Sequence, residues 1–342
     1  MLVTQPDYYD NFSCIAGQCP DSCCIGWQVI PDQEHLDFYN TLQSPLGEEI
    51  RKGIVDIDGE PSFALCDGRC CMLRDDGLCK IQYALGEKAL SKVCGFYPRF
   101  ETELGLIREQ GLSISCPEVA RIILTRKEPL DIKTYETSAP LRYFHDVEPE
   151  RILAVRKGRD DGLAILRNRS LCLAERMKQL LWIGLDVDET ELEAPVSDCP
   201  DIKMTEEEFL SFYTELYNLF YSLDHLRPRW AELLKCCNHR NHLHRLKEEI
   251  CWEQLLSYYL FKYSLRSAMD DNFLQWISVA IISVILLQDL YDKNMIELVD
   301  LVQLFAKETE HNDDNIDMIM DALWNNPVFS PESILKLLNY FR

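Results

Sequence analysis

Positive charge is scarce in this sequence: 35 lysines and arginines stand against 57 aspartates and glutamates, a formal net charge of −22 over 342 residues. The acidity is spread along the chain, so its field repels phosphate and argues against a nucleic-acid binder. The most basic stretch, 151–178, holds Arg156, Lys157, Arg159, Arg167, Arg169 and Arg176 but also Asp160, Asp161 and Glu175. It reads as a solvated helix face. The first residues, Met1-Leu2-Val3-Thr4-Gln5-Pro6-Asp7, have neither the basic nor the apolar region of an export signal. Long apolar runs are also missing. The longest, Ile277–Leu287, is broken by Ser278 and Ser283 and closed by Gln288 and Asp289, well short of the ~20 residues that span a bilayer. It predicts a buried core helix and no transmembrane segment, with peripheral membrane contact as the lesser alternative. A cytoplasmic protein is expected. No run alternates polar and apolar residues for long, no clean repeat is present, and no glycine-rich loop follows a strand. The first absence predicts a mainly α fold; the last leaves no readable Rossmann-type site, since Ile183-Gly184-Leu185-Asp186 offers a single glycine.

Cysteine is abundant, with 15 in the chain. Ten precede residue 117: Cys14, Cys19, Cys23, Cys24, Cys66, Cys70, Cys71, Cys79, Cys94 and Cys116. Without an export signal the thiols stay reduced, so metal ligation accounts for them better than a disulfide framework. The vicinal pairs Cys23-Cys24 and Cys70-Cys71 can aim two thiolates at one site. Turn formers surround them at Ala16-Gly17-Gln18, Pro20-Asp21-Ser22, Asp67-Gly68-Arg69 and Asp75-Asp76-Gly77, which lets backbone fold closely round a metal. The alternative, a set of small buried hydrophobes, fits one isolated cysteine better than ten at close spacing. Four thiolates suit zinc and an iron–sulfur cluster equally. The paired C-x2-C of zinc ribbons is absent, and so is the C-x3-C-x2-C triplet of radical S-adenosylmethionine enzymes.

Spacing and context together resemble a known family. Cys14-x4-Cys19-x3-Cys23-Cys24, Cys71-Met72-Leu73, Gly77-Leu78-Cys79-Lys80-Ile81 and Val93-Cys94-Gly95-Phe96-Tyr97-Pro98-Arg99 resemble the cysteine-rich zinc- or iron-chelating CxxCxxCC domains. Ser115-Cys116-Pro117-Glu118 followed by Ala120-Arg121 is similar to the signature of the flagellin lysine-N-methylase branch. The strong part covers the first third of the chain. The resemblance implies methyl transfer from S-adenosyl-L-methionine to lysine side chains of flagellin, with an oxygen-sensitive 4Fe-4S cluster, zinc being the alternative metal. The family's eight usual cysteines fall on Cys14, Cys19, Cys23, Cys24, Cys71, Cys79, Cys94 and Cys116. Cys66 and Cys70 stand as additions, and eight ligands allow one site or two.

The expected architecture is mainly α: a turn-rich cysteine cluster module over 1–127, a junction with connecting helices over 128–203, and a helical C-terminal bundle over 204–342. Short helices are expected at 33–42 and 84–92. A helical pattern over 151–181 breaks near Asp160-Asp161-Gly162, and a capping box at Thr205 and Glu208 opens another helix. Further helices are expected at 248–269, 272–291, 294–309 and 331–341, the last with Ser330 as N-cap and Pro331 at its first position. Cys236, Cys237, His239, His242 and His244 crowd one short stretch; they could hold zinc, or form a histidine-rich helix–helix turn. Methylation needs a lysine stripped of its proton, and Glu109, Glu118 and Tyr97 lie near the cysteines in sequence, as bases or as structural contacts. A non-enzymatic zinc- or iron-binding module that binds a partner protein is the competing function, and an electron-transfer or redox-sensing protein the third.

Overall fold

The computed structural model describes residues 1–57, 59–140, 142, 145, 147–192, 201–238, 241–293 and 295–342. It opens with a strand, Leu2–Pro6 (β1), and then the cysteine-bearing turns. Helices Gln33–Thr41 (α1) and Pro45–Gly53 (α2) follow, capped by the side chains of Asp32 and Ser44. Two small hairpins come next: Ile54–Ile57 (β2) with Glu60–Phe63 (β3), and Leu65–Cys66 (β4) with Arg69–Cys70 (β5). The helix expected at 84–92 is instead two pieces, Lys80–Leu85 (α3) and Lys92–Phe96 (α4). Gly86 takes φ +84° and stops the first, a conformation that glycine adopts without strain.

A four-stranded sheet was not expected. Arg99–Leu104 (β6) and Ile107–Leu112 (β7) form a hairpin, β1 lies parallel to β7 with Val3 opposite Arg108, and Ile132–Glu136 (β8) runs antiparallel to β1. The order is β6-β7-β1-β8. Its strands bury Thr4, Gln5, Glu103, Arg108 and Glu109 beside Val3, Leu104 and Leu112, so buried polar residues hide the alternation. Between β7 and β8, Pro117–Leu124 (α5) carries a buried apolar face into the main core.

The remainder is helical. Pro149–Arg167 (α6) runs unbroken through Asp160-Asp161-Gly162. The expected break falls later, between Arg167 and Leu173–Val187 (α7). Gly162 serves close packing: a Cβ there would stand 2.7 Å from Leu260 Cδ2 and 2.9 Å from Leu180 Cδ2. The solvated-face reading of 151–178 also needs correction, because Arg159 and Arg176 are buried and paired with Glu109 and Glu253. Only buried carboxylates make such burial tolerable.

Glu206–Ser222 (α8) opens with the expected Thr205–Glu208 capping box. Pro228–Cys237 (α9), Ile250–Ser267 (α10), Phe273–Asp292 (α11), Leu298–Glu310 (α12), Asp313–Asn325 (α13) and Pro331–Tyr340 (α14) complete the bundle. The expected helices at 248–269, 272–291, 294–309 and 331–341 correspond to α10, α11, α12 and α14, while α9 and α13 are additional. Asn294, the expected first residue of α12, lies outside the described residues. By length and composition α11 could cross a membrane, but 94% of its most apolar window is buried inside the protein, as a core helix requires. Two apolar cores result. The larger runs from the sheet and α5 through the bundle; the smaller, with Val29, Tyr39, Ile50, Phe63, Met72 and Ile81, sits under the cysteine turns.

Candidate metal centre

The cysteine turns are stitched by backbone hydrogen bonds between segments distant in sequence. Cys70 N donates to Cys24 O (2.8 Å), Gly26 N to Gly68 O (3.0 Å), Cys71 N to Ala64 O (2.9 Å) and Lys80 N to Met72 O (2.8 Å). The tight β4–β5 turn uses Asp67 and Gly68 at φ +52° and +71°. Gly53 ends α2 directly against a thiol: a Cβ there would lie 2.6 Å from Cys71 Sγ, which donates to Gly53 O. A backbone amide aims at sulfur as well. Ala16 N contacts Cys14 Sγ at 3.4 Å, while Cys79 and Cys116 stand at the N-caps of α3 and α5 without a side-chain capping hydrogen bond.

Electrostatic coupling groups the thiols. Cys19 and Cys116 feel Cys14 and each other's neighbourhood, and Cys19 also feels Cys23. A second set, Cys23, Cys24, Cys70, Cys71, Cys79 and Cys94, is mutually coupled. Of the eight expected ligands, three thus fall in the first set and five in the second, with Cys19 and Cys23 linking them. Cys70 joins the second set, while Cys66 is exposed and stands apart. The hydrogen bond from Cys24 brings the Cys23 thiol down to about 7, against burial and helped by Lys307. The one from Cys70 does the same for Cys71, also to about 7. Burial pushes Cys94 and Cys116 up to about 11. Cys23 and Cys71 are therefore the most readily ionised of these, while buried Cys94 and Cys116 must give up protons on meeting a metal.

Among the described residues, no three His, Cys, Asp or Glu side chains stand close enough to share one metal ion. A preformed mononuclear zinc site is thus not among them. The donor chemistry, many thiols on closely stitched turns, is of the kind an iron–sulfur cluster takes. A cubane also asks less of ligand proximity, because each thiolate binds a different iron.

The module meets the bundle along a polar seam. Asp21 pairs with Lys307 (2.5 Å) and Arg227 (3.0 Å) and accepts from Gln303 (2.9 Å). Lys307 lies 4.8 Å over the Trp27 ring, and His311 stacks on Trp27 at 4.5 Å. Beside them, the turn after β7 places Ser113 and Ser115 against the end of α12. Ser115 Oγ meets Tyr97 Oη at 3.0 Å, Ser113 Oγ at 2.8 Å and His311 Nε2 at 2.7 Å. Ser113 Oγ donates to Glu310 (3.0 Å), which also accepts from Tyr258 and Lys262 of α10. Burial, then the charges of Lys262 and Lys307, push the His311 imidazole down to about 3, so it is neutral.

Of the three residues offered as bases, only Tyr97 reaches this seam. Glu109 is buried against Arg159 and Thr4, and Glu118 is held by Arg121 at 2.5 Å. Ser115 entered the sequence reading only through the Ser115-Cys116-Pro117-Glu118 resemblance, and nothing in the sequence singled out Trp27, Tyr258, Lys262, Glu310 or His311. In the second constellation, His242 Nδ1 meets Asp289 (2.8 Å) and stacks on Tyr213, while His244 meets the Tyr340 hydroxyl (2.7 Å). Cys237 is buried and Cys236 exposed. These side chains diverge into packing roles; His239 lies outside the described residues.

A family model of the FliB lysine N-methylase C-terminal domain matches residues 159–337. The flagellar biosynthetic protein FliU of Salmonella muenchen is 29% identical over 154 residues, 42% of this chain and 91% of that protein. The lysine-N-methylases of Salmonella choleraesuis (strain SC-B67) and Salmonella typhimurium (strain LT2) are each 32% identical over 131 residues, 36% of this chain. That match spans 33% of each lysine-N-methylase's own length. No solved structure matches at a significant level.

Proposed function

Because the chain belongs to the FliB lysine N-methylase family, we propose that it transfers methyl groups from S-adenosyl-L-methionine to lysine side chains of a protein substrate, flagellin. The single observation that carries the reading is the family match over 159–337, which spans most of the helical body against which the cysteine module docks. Cys14, Cys19, Cys23, Cys24, Cys71, Cys79, Cys94 and Cys116 are the candidate ligands of a 4Fe-4S cluster, which would supply a one-electron couple or a structural cross-link. The reaction runs in the cytoplasm, where thiols stay reduced. The acidic surface draws lysine-bearing substrate by long-range attraction.

The chain's own contribution is to receive a lysine, strip its charge and aim it. Exposed lysine holds its proton to about pH 10.4, so a site that desolvates the ammonium and sets fixed cations near it lowers that value. The seam offers the first feature in half-buried Trp27 and Tyr97; the ammonium groups of Lys262 and Lys307 beside them are paired with Glu310 and Asp21. The neutral amine then attacks the methyl carbon in line with the departing sulfur.

The test is anaerobic purification, assay of iron and acid-labile sulfide, and incubation with flagellin and S-adenosyl-L-methionine. The reading expects iron and sulfide in about equal amounts, a broad band near about 400 nm that bleaches on reduction, and methyl groups on flagellin lysines by mass spectrometry. Stoichiometric zinc with unmodified flagellin would refute it and favour a partner-binding module.

A further inference from the structure

The proton order in the seam follows from its acceptors. Glu310 takes hydrogen bonds from Lys262 Nζ (2.6 Å), Tyr258 Oη (2.9 Å) and Ser113 Oγ (3.0 Å). A carboxylate donates nothing, so the Ser113 proton is committed to Glu310. Ser113 Oγ can then only accept from Ser115 Oγ at 2.8 Å, which commits the Ser115 proton in turn. Ser115 Oγ is left accepting from Tyr97 Oη at 3.0 Å and from His311 Nε2 at 2.7 Å. The neutral His311 therefore carries its proton on Nε2 and bares a lone pair at Nδ1, for which no hydrogen-bond partner stands among the described residues.

We infer that His311 Nδ1 receives the ε-nitrogen of the substrate lysine beside half-buried Tyr97, an inference that rests on the lysine-methylation reading. The lysine stem lies along Tyr97, and the lysine proton leaves to solvent as burial disfavours the charged ammonium. His311 is too weak a base to keep that proton. Its role is to hold one N–H of the neutral amine, which turns the nitrogen lone pair toward the methylsulfonium. The N–C bond forms as the C–S bond breaks, the electron pair stays on sulfur, and the positive charge passes from sulfonium to methylated amine.

The experiment measures binding of a fluorescein-labelled flagellin peptide with one lysine, and of its norleucine counterpart, to the anaerobically purified full chain, alongside lysine methylation. Wild type is expected to prefer lysine by about tenfold, the worth of one good hydrogen bond to an otherwise unpaired acceptor. His311→Leu removes the Nδ1 acceptor, so it should bind both peptides equally, at the wild-type norleucine affinity and with unchanged iron content. Ser115→Ala, which releases the tautomer, should also weaken the lysine preference without touching norleucine binding. If wild type shows no preference, or if His311→Leu keeps it, the inference is overturned even where methylation proceeds. A lysine preference that depends on His311, in a chain that methylates nothing, would instead sustain the inference and sink the methylation reading.

Discussion

The docking of the cysteine module on the bundle should depend on one carboxylate, and Asp21→Asn tests it. Asp21 serves Lys307 at 2.5 Å, Arg227 at 3.0 Å and Gln303 at 2.9 Å, and the Lys307 side chain is only 2% exposed. Removing one partner of a fully buried pair costs about 3–5 kcal/mol. Asp21 is 22% exposed and asparagine still accepts a hydrogen bond, which brings the expected cost to about 2–4 kcal/mol. Lys307→Met alone should cost a similar amount by stranding Asp21, while the double change Asp21→Asn with Lys307→Met should recover part of it. Urea denaturation at neutral pH measures each corner of this cycle. Burial works to raise the Asp21 carboxyl, but Lys307, the Ser22 amide and Arg227 outweigh it and hold it below its ordinary 3.8. A depressed native value contributes stability that is complete above 3.8 and is lost as pH falls through the native value. The gap between wild type and Asp21→Asn should therefore be full at neutral pH and close under acid. A variant within about 0.5 kcal/mol of wild type at neutral pH, the range of ordinary surface changes, would refute the reasoning.

Gly53→Ala pushes a methyl to within 2.6 Å of Cys71 Sγ; iron per chain should fall if Cys71 is a ligand, and full iron content would remove it from the set. Gly162→Ala should destabilise by about 1–3 kcal/mol through overpacking against Leu260 and Leu180, although helix propensity alone predicts a gain of about 1 kcal/mol; the sign of the shift in urea midpoint decides. Burial pushes the Glu308 carboxyl up to about 7 against the amides of Leu226 and Arg227. A raised native value contributes stability that is complete below about 4.5 and lost as pH rises through 7, so Glu308→Gln should melt progressively higher than wild type on the alkaline side.

The parts legible in the sequence share one property: their physics is local. A capping box needs two residues three apart, and Thr205 with Glu208 forms it as read. The apolar run at 277–287 needed only a core to enter, and it became the middle of α11. The sheet was hidden because its signal is not local. β1 pairs with strands about a hundred residues away, and the sheet buries Glu103, Arg108 and Glu109 in ion pairs where a simple strand would bury aliphatics. The same blindness made Arg159 and Arg176 look solvated, since their carboxylates lie on β7 and α10. Helix α13 was missed because it buries only Asn315, Ile319 and Leu323, too narrow a stripe to show as periodicity.

The candidate site divides along the same line. Thiolate ligation draws on closely spaced turns, so the cysteine density was visible, whereas the seam is assembled from Trp27, Tyr97, Ser115, Tyr258 and His311, brought together by tertiary packing. Segment 113–116 belongs to both. Ser113 and Ser115 face α10 and the end of α12, while Cys116 caps α5 and couples to Cys14 and Cys19. Within four residues the chain thus turns from the thiol set to the hydrogen-bonded network that fixes the His311 tautomer. Any shift of Cys116 on taking a metal must move Ser115 as well, because the two share a backbone pinned by Cys116 N to Ser113 O (3.2 Å) and by Gln303 donating to Ser115 O (2.9 Å). A metal held at Cys116 would on this geometry be mechanically joined to the lysine reception inferred at His311.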